Sequence, residues 1–165
     1  MLEPILLGLE GSAVAEFFRR SLWLYPAVEI LHIVGFVILV GAAFVMDLRL
    51  LGRLRALPIT ATVHSLSRWA RWSLILVVPS GLILFITDAT TLAANPAFQL
   101  KLVLLAVAGV NAALFHRVVF RDMDVHRGGA WRDGAPLPLP ARLVGVLSMV
   151  LWFSVIACGR LIAYV

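Results

Sequence analysis

The sequence holds one cysteine, Cys158. A single thiol excludes an intrachain disulfide and any C-x-x-C redox or metal motif. Charge is scarce as well. Asp, Glu, Lys and Arg make up 14% of the 165 residues, against 62% hydrophobic residues, and the mean hydropathy is +1.00. A soluble domain is about half apolar and about a quarter charged, so this composition is that of a membrane protein. The marks of soluble enzymes are missing too: no G-x-S-x-G, no P-loop and no dinucleotide-binding glycines. A cleavable signal peptide is not expected, because MLEPILLGLEGS carries Glu3 and Glu10 and neither Lys nor Arg.

What is present is a set of long apolar runs. Crossing the hydrocarbon core as a helix takes about 20 mostly apolar residues. Four segments meet that demand, at about residues 26–46, 70–86, 96–115 and 141–163. Pro26, Pro96 and Pro140 stand at or just before helix starts, where the missing N–H costs nothing, and Asn95 is suited to cap the third span. Pro79-Ser80-Gly81 inside the second span predicts a kink, with Ile59–Arg71 adding an interfacial turn or two. Residues 12–24 predict an interfacial helix, with Phe17, Phe18, Leu22 and Trp23 among headgroups and Glu16, Arg19 and Arg20 in water. Gly35, Gly41 and Ala42 on the first span, and Ala106, Gly109 and Ala113 on the third, are small-residue signals for close helix packing. The expected fold is all-α: a single transmembrane domain over 1–165, an integral membrane antiparallel four-helix bundle with an N-terminal interfacial helix.

The net charge of +5 has a topological explanation. Arg49, Arg53, Arg55, Arg68 and Arg71 follow the first span, and Arg117, Arg121, Arg127, Arg132 and Arg142 follow the third. Together they are ten of the fourteen Lys and Arg residues, whereas TDATTLAAN between spans two and three has none. The positive-inside rule then puts both basic loops in the cytoplasm and both termini outside, in a bacterial inner (plasma) membrane. Arg19 and Arg20 run against that rule. Lipid headgroups account for the basic balance, and nucleic acid is not an expected partner.

Ionisable residues within a span are costly and mark function by default. At 1.5 Å per residue, Glu29 lies about 5 Å and His32 about 9 Å into the first span. Lys101 and Arg160 fall at comparable depth in spans three and four, so these four residues are expected to share one outer layer. Asp47, Arg49, His64, Arg68, Arg71, His116 and Arg117 gather at the opposite face, with Asn111 between the layers. A purely structural role is also open: Lys101 and Arg160 can snorkel, and Glu29 can pair with either. His64 sits in a basic loop and reads as a surface histidine, and His126 in a Gly/Pro-rich loop has no assigned role. His32 and His116 interrupt apolar stretches, and a buried imidazole needs partners for both nitrogens.

Three chemistries suit an intramembrane histidine. A b-type haem wants axial imidazoles, an apolar slot, and Arg or Lys for its propionates. His32, His116 and His64 are the candidate ligands, with Lys101, Arg160 and Asn111 in support. His32 and His116 are separated by about 20 Å of depth, too far to hold one iron between them. A metal site on Glu29, His32 and His116 is the second chemistry, since Glu29 and His32 form E-x-x-H on one helix face. The di-iron pattern needs that motif twice plus two further Glu, and no other Glu lies in a span. Copper finds Met46, Met149 and Cys158 but no clustered soft ligands. Proton or quinone chemistry at Glu29–His32 is the third.

The runs LYPAVEILHIVGFVILVGAAFVMDLRLLG, NPAFQLKLVLLAVAGVNAALFH and ACGRLIAY resemble an uncharacterised family of small bacterial four-helix membrane proteins (DUF6644-like). That family is distantly similar to copper-resistance D-type proteins and to di-haem membrane cytochromes b. The resemblance covers about residues 22–164 and its motif positions are Glu29, His32, Asp47, Asn95, Lys101, Asn111, His116 and Arg160. His64 and His126 fall outside them, a departure from the four histidines that two haems require. The function expected from these readings is a small b-type cytochrome-like or quinone-interacting electron-transfer subunit, with copper or other metal-ion handling and a non-catalytic assembly subunit as the alternatives. So little extramembrane mass implies a protein partner or a homo-oligomer beside lipid.

Overall fold

Within hydrocarbon each backbone N–H and C=O must be satisfied by its own segment, and the apolar runs of this chain do so as helices. The computed structural model describes residues 3–120 and 137–165. In chain order the helices are α1 (Glu3–Glu10), α2 (Ala13–Arg20), α3 (Leu24–Leu50), α4 (Ile59–Thr87), α5 (Ala89–Ala94), α6 (Pro96–Leu114) and α7 (Leu139–Leu161), with a π-helical turn at Phe115–Phe120 after α6. Four helices are long and apolar enough to cross a membrane. At 27 residues, α3 is about 40 Å long. Buried hydroxyls close on their own helices: Ser73 donates to the Ala70 carbonyl at 2.7 Å and Thr87 to that of Leu84 at 2.8 Å.

The spans differ from the sequence reading chiefly at their ends. The second begins at Ile59, eleven residues before the expected Ala70, and runs unbroken through Pro79. Its first turns are held by tertiary packing. Ile59 and Val63 are each 1% exposed and cluster with Leu50, Phe115 and Ala141. The expected helix over 12–24 is present as the shorter α2, and α1 adds a first short helix before it. Ser12 caps the second, its Oγ accepting from Ala15 N at 3.2 Å. Arg19 is exposed, and its guanidinium also bonds back to the fold. It donates to the Thr87 carbonyl at the end of α4 (2.9 Å) and to the Glu10 carbonyl (2.6 Å), which is where a cation favours a helix C-terminus. Its conflict with the positive-inside pattern therefore has a structural reason. Glu10 Oε2 accepts from Thr90 N (3.1 Å) and Thr90 Oγ1 (2.6 Å). These bonds fasten α1 and α2 over the α4–α5 junction, called the capped end below.

The cap expected at Asn95 is present. Its Oδ1 accepts from Phe98 N at 3.0 Å, and its Nδ2 donates to the carbonyls of Ile162 (3.1 Å) and Val165 (2.6 Å). One side chain thus starts α6 and ties the C-terminal turn of the chain to it. At the opposite, basic end α3 stops in a Schellman turn. Arg53 N donates to Leu48 O (2.9 Å) and Gly52 N to Arg49 O (3.1 Å), with Gly52 at φ +78°. Arg49, expected at the surface, is 2% exposed and donates Nε to Leu57 O at 2.6 Å.

The four long helices form an open arrangement rather than a closed ring. α3 packs on α4, α7 packs on α6, and α3 joins α7, whereas α4 and α6 do not pack on one another. A Cβ at Gly35 would lie 2.9 Å from both Leu76 Cβ and Val77 Cγ2, so glycine there sets the α3–α4 approach. Gly145 does the same for α7 against Leu50 and Asp47. Gly41 and Gly109 were expected at packing faces, but a Cβ at either would meet nothing within 4 Å. Across α3 and α7, Phe36 meets Trp152 at 6.0 Å and Phe44 meets Phe153 at 5.0 Å between ring centroids. The outward faces, such as Ile33, Val37, Val103 and Phe153, are apolar and exposed, as a hydrocarbon-facing surface requires.

Candidate functional site

The missing α4–α6 contact leaves a cavity of about 920 Å³ along the bundle, within the roughly 300–1,000 Å³ usual for ligand pockets. One stripe of α3 forms its floor. Tyr25, Glu29, His32, Phe36, Leu39, Ala43, Met46 and Leu50 recur at alternating spacings of four and three, with Asp47 beside the last turn. This is the seam spacing of one helix face. Val144, Ser148 and Trp152 of α7 complete the floor, and α4 and α6 make the two walls. At the capped end Phe85 of α4 stacks on Phe98 of α6, with centroids 5.6 Å apart and planes 7° from parallel. At the basic end Ser67 Oγ meets His116 Nε2 at 3.2 Å. The walls touch at their ends and stand apart between them.

Polar groups collect at two poles separated by an apolar middle. His32 governs the pole at the capped end. Its Nδ1 lies 3.1 Å from the Val77 carbonyl and 3.0 Å from Ser80 Oγ. Ser80 donates its own hydroxyl to the Leu76 and Val77 carbonyls. A carbonyl can only accept, so Nδ1 carries the proton and the neutral ring keeps a lone pair on Nε2; the residue lines the cavity. Gly81 makes room for the ring: a Cβ there would stand 3.0 Å from His32 Cε1. Lys101 faces the same pole from α6. Its Nζ passes 3.7 Å from the Cβ position of Gly159. Among the described residues the one ion pair within 4 Å is Arg20–Glu16 on α2, so neither Lys101 nor Glu29 is neutralised by a partner there.

The second pole gathers Asp47, Ser67, Arg71, Asn111, His116 and Ser148. It lies about 22 Å along α3 from His32, fifteen residues at 1.5 Å each. Asp47 is 4% exposed and Asn111 5%. Ser148 lines the cavity with Asp47, and Asp47 Oδ2 has no partner among the described residues. Asn111 Nδ2 donates to the Val144 carbonyl at 3.2 Å. The His116 ring lies edge-on to Phe115, with centroids 5.2 Å apart.

Several sequence expectations meet this geometry directly. Glu29, His32 and Lys101 share one pole, and Asn111 and His116 share the other. Arg160 does not join the first pole. It is exposed, its guanidinium donates to the Tyr164 hydroxyl, and it lies 4.6 Å over that ring. The expected pairing of Glu29 with Lys101 or Arg160 is absent. His64 is exposed on α4 and off the cavity wall, though within electrostatic range of His116. Glu29 and His32 are together, but His116 is a pole away from them. Among the described residues no three His, Cys, Asp or Glu side chains converge as a metal site, and Cys158 is buried. His126 lies outside the described residues. Sequence reasoning took Ser80 only as part of a kink, passed over Ser148, and did not include Asp47 among the site residues.

Comparison with known proteins adds a family and no activity. No curated protein and no solved structure matches the chain. A family model matches residues 24–165, so the match starts where α3 starts and leaves α1 and α2 outside it. By that match the chain belongs to DUF6644, a family of unknown function.

Proposed function

We propose that this protein is a small electron-transfer subunit of a bacterial inner membrane, holding a b-type haem at the His32 pole. The observation that carries the reading is the fixed tautomer of His32. Nδ1–H is bound by Val77 and Ser80, which leaves the lone pair to Nε2 of a ring that lines a largely apolar cavity. Metal-ligating histidines are held by their second nitrogen in this way. The other requirements of a haem are matched at the same pole. The slot between helices is apolar, and Lys101 supplies a cation for a propionate. When bound, the haem supplies one-electron redox chemistry, and the chain's residues orient it and exclude water.

Each pole carries one histidine on the cavity wall, so a haem at this pole would find in His32 its one histidine ligand. The reduced form is then expected to bind carbon monoxide. Copper or other metal-ion permeation draws less support, since it requires converging ligands. The arginines at the basic end, among them Arg53, Arg55 and Arg68, support a cytoplasmic placement for that end.

The test is a visible spectrum of the purified protein, oxidised and dithionite-reduced, with and without carbon monoxide. A Soret band that shifts on reduction and again with carbon monoxide is expected, and it should vanish in His32→Ala. A colourless preparation, or a His32→Ala variant that keeps the band, overturns the reading. A C-terminal fusion to a phosphatase that is active only outside the cytoplasm tests the orientation. Activity is expected, and an inactive fusion present at normal levels reverses the topology.

A further inference from the structure

The capped-end pole has a tenant in the reading above; the basic-end pole does not. Asp47 is 4% exposed, lines the cavity, and leaves Oδ2 without a partner among the described residues. A buried acceptor without a donor is destabilising, and a charged group inside a span marks a ligand or proton site. Asn111 lines the same pole and commits Nδ2 to the Val144 carbonyl, which leaves its side-chain oxygen as a second acceptor. Arg71, Ser67 and Ser148 line the same pole, yet Asp47 Oδ2 is an acceptor there that no described donor reaches.

Access to it is lateral. Phe85 on Phe98 shuts the capped end, and Ser67 with His116 spans the basic end. Between them α4 and α6 stand apart, and their outward faces are apolar, with Ile75 on α4 and Val103 on α6 exposed. A molecule entering there comes from hydrocarbon. Gly109 faces this opening with no atom within 4 Å of a Cβ position.

We propose that the Asp47 pole binds the hydroxylated head of a lipid-soluble hydroquinone, which enters from the bilayer between α4 and α6. A phenolic hydroxyl both donates and accepts, so it satisfies Asp47 whether the carboxyl is ionised or protonated. A quinone carbonyl offers no donor, so the reduced form binds more tightly. The tail lies along Gly109 and leaves through the slot. The choice of a hydroquinone over another lipophilic alcohol rests on the electron-transfer reading; the open acceptor at Asp47 Oδ2 and the lateral entry do not.

The test is a titration of the purified full chain in detergent with a decyl-tailed benzoquinol under reducing conditions. Quenching of tryptophan fluorescence is the readout, since Trp152 lines the cavity. Saturable quenching is expected. Asp47→Ala should weaken it by about tenfold or more. Gly109→Leu puts a side chain into the slot at a position where a Cβ meets no atom within 4 Å, and it should weaken binding comparably, with the thermal transition confirming that each variant folds. Binding unchanged in both variants, or decylbenzene competing as well as the quinol, overturns the proposal. The visible spectrum of the same samples separates the two readings. Saturable quinol binding in a colourless protein removes the haem and keeps this site; a haem band without saturable binding does the reverse.

Discussion

The two poles of the cavity are built to opposite specifications. At the capped end the protein holds its histidine with its own groups. Val77 and Ser80 fix His32, and what remains is a single lone pair beside an unneutralised lysine. At the basic end the arrangement is left incomplete, with a buried carboxyl oxygen that nothing in the described chain satisfies. In the proposed reading the first is a coordination site held from behind, and the second is a hydrogen-bonding site whose Asp47 Oδ2 lacks a donor. Apolar residues about 22 Å in extent keep them apart. A membrane protein that places one lone pair and one orphan acceptor in the same cavity separates two tasks by depth.

The comparison breaks most sharply at the histidines. His32→Ala should abolish the haem absorbance, whereas His116→Ala, at the other pole, should keep most of it; equal loss in both would merge the poles into one site. Ser80→Ala removes one of the two groups that orient His32, and haem affinity should fall by about tenfold or more, read by haem retention during dilution. The backbone frame comes next. Gly35→Val forces atoms into the 2.9 Å contacts with Leu76 and Val77, at a cost of about 1–3 kcal/mol. Its thermal transition should drop by several degrees, while Gly41→Ala, in open space, should not lower it. Asn95→Ala loses the α6 cap and both C-terminal carbonyl contacts, at about 1–2 kcal/mol.

The smallest effect sharpens the account of the capped end. Hydrogen bonds from the Thr90 hydroxyl and then its N–H hold Glu10 below the usual carboxylate range. A depressed folded value means that the latch contributes its full stability at neutral pH. That contribution is lost as pH falls through the folded value. The Thr90 amide resonance should therefore titrate below the usual carboxylate range, and Glu10→Gln should remove the titration. A midpoint in the usual range would show that the latch is not formed.

The sequence carried the fold a long way, since lipid leaves a chain few options. Four runs of sufficient length become four helices, and the arginines mark one end. It misjudged the start of α4 because Ile59–Arg71 is polar enough to read as loop, and only the burial of Ile59 and Val63 against Leu50 and Phe115 makes it helix. It misjudged Gly41 and Gly109 because small residues signal close packing without naming the helix that approaches. The α3 stripe of Tyr25, Glu29, His32 and Phe36 was legible in its spacing. The lipid-facing side is just as apolar, however, so hydropathy alone does not tell which stripe faces inward.

By itself, then, the sequence determined that the chain lives in a membrane, that it crosses four times, and that Glu29, His32 and Lys101 lie at one depth with Asp47, Asn111 and His116 at another. Depth is a one-dimensional quantity, counted at a fixed rise along each helix. Rotation about each helix axis, and which helices touch, depend on contacts between distant segments. The tertiary structure alone decided that α4 and α6 part, that Arg160 turns to Tyr164 instead of the cavity, and that Ser80 fixes His32. It alone left Asp47 buried beside Ser148 with one oxygen unanswered.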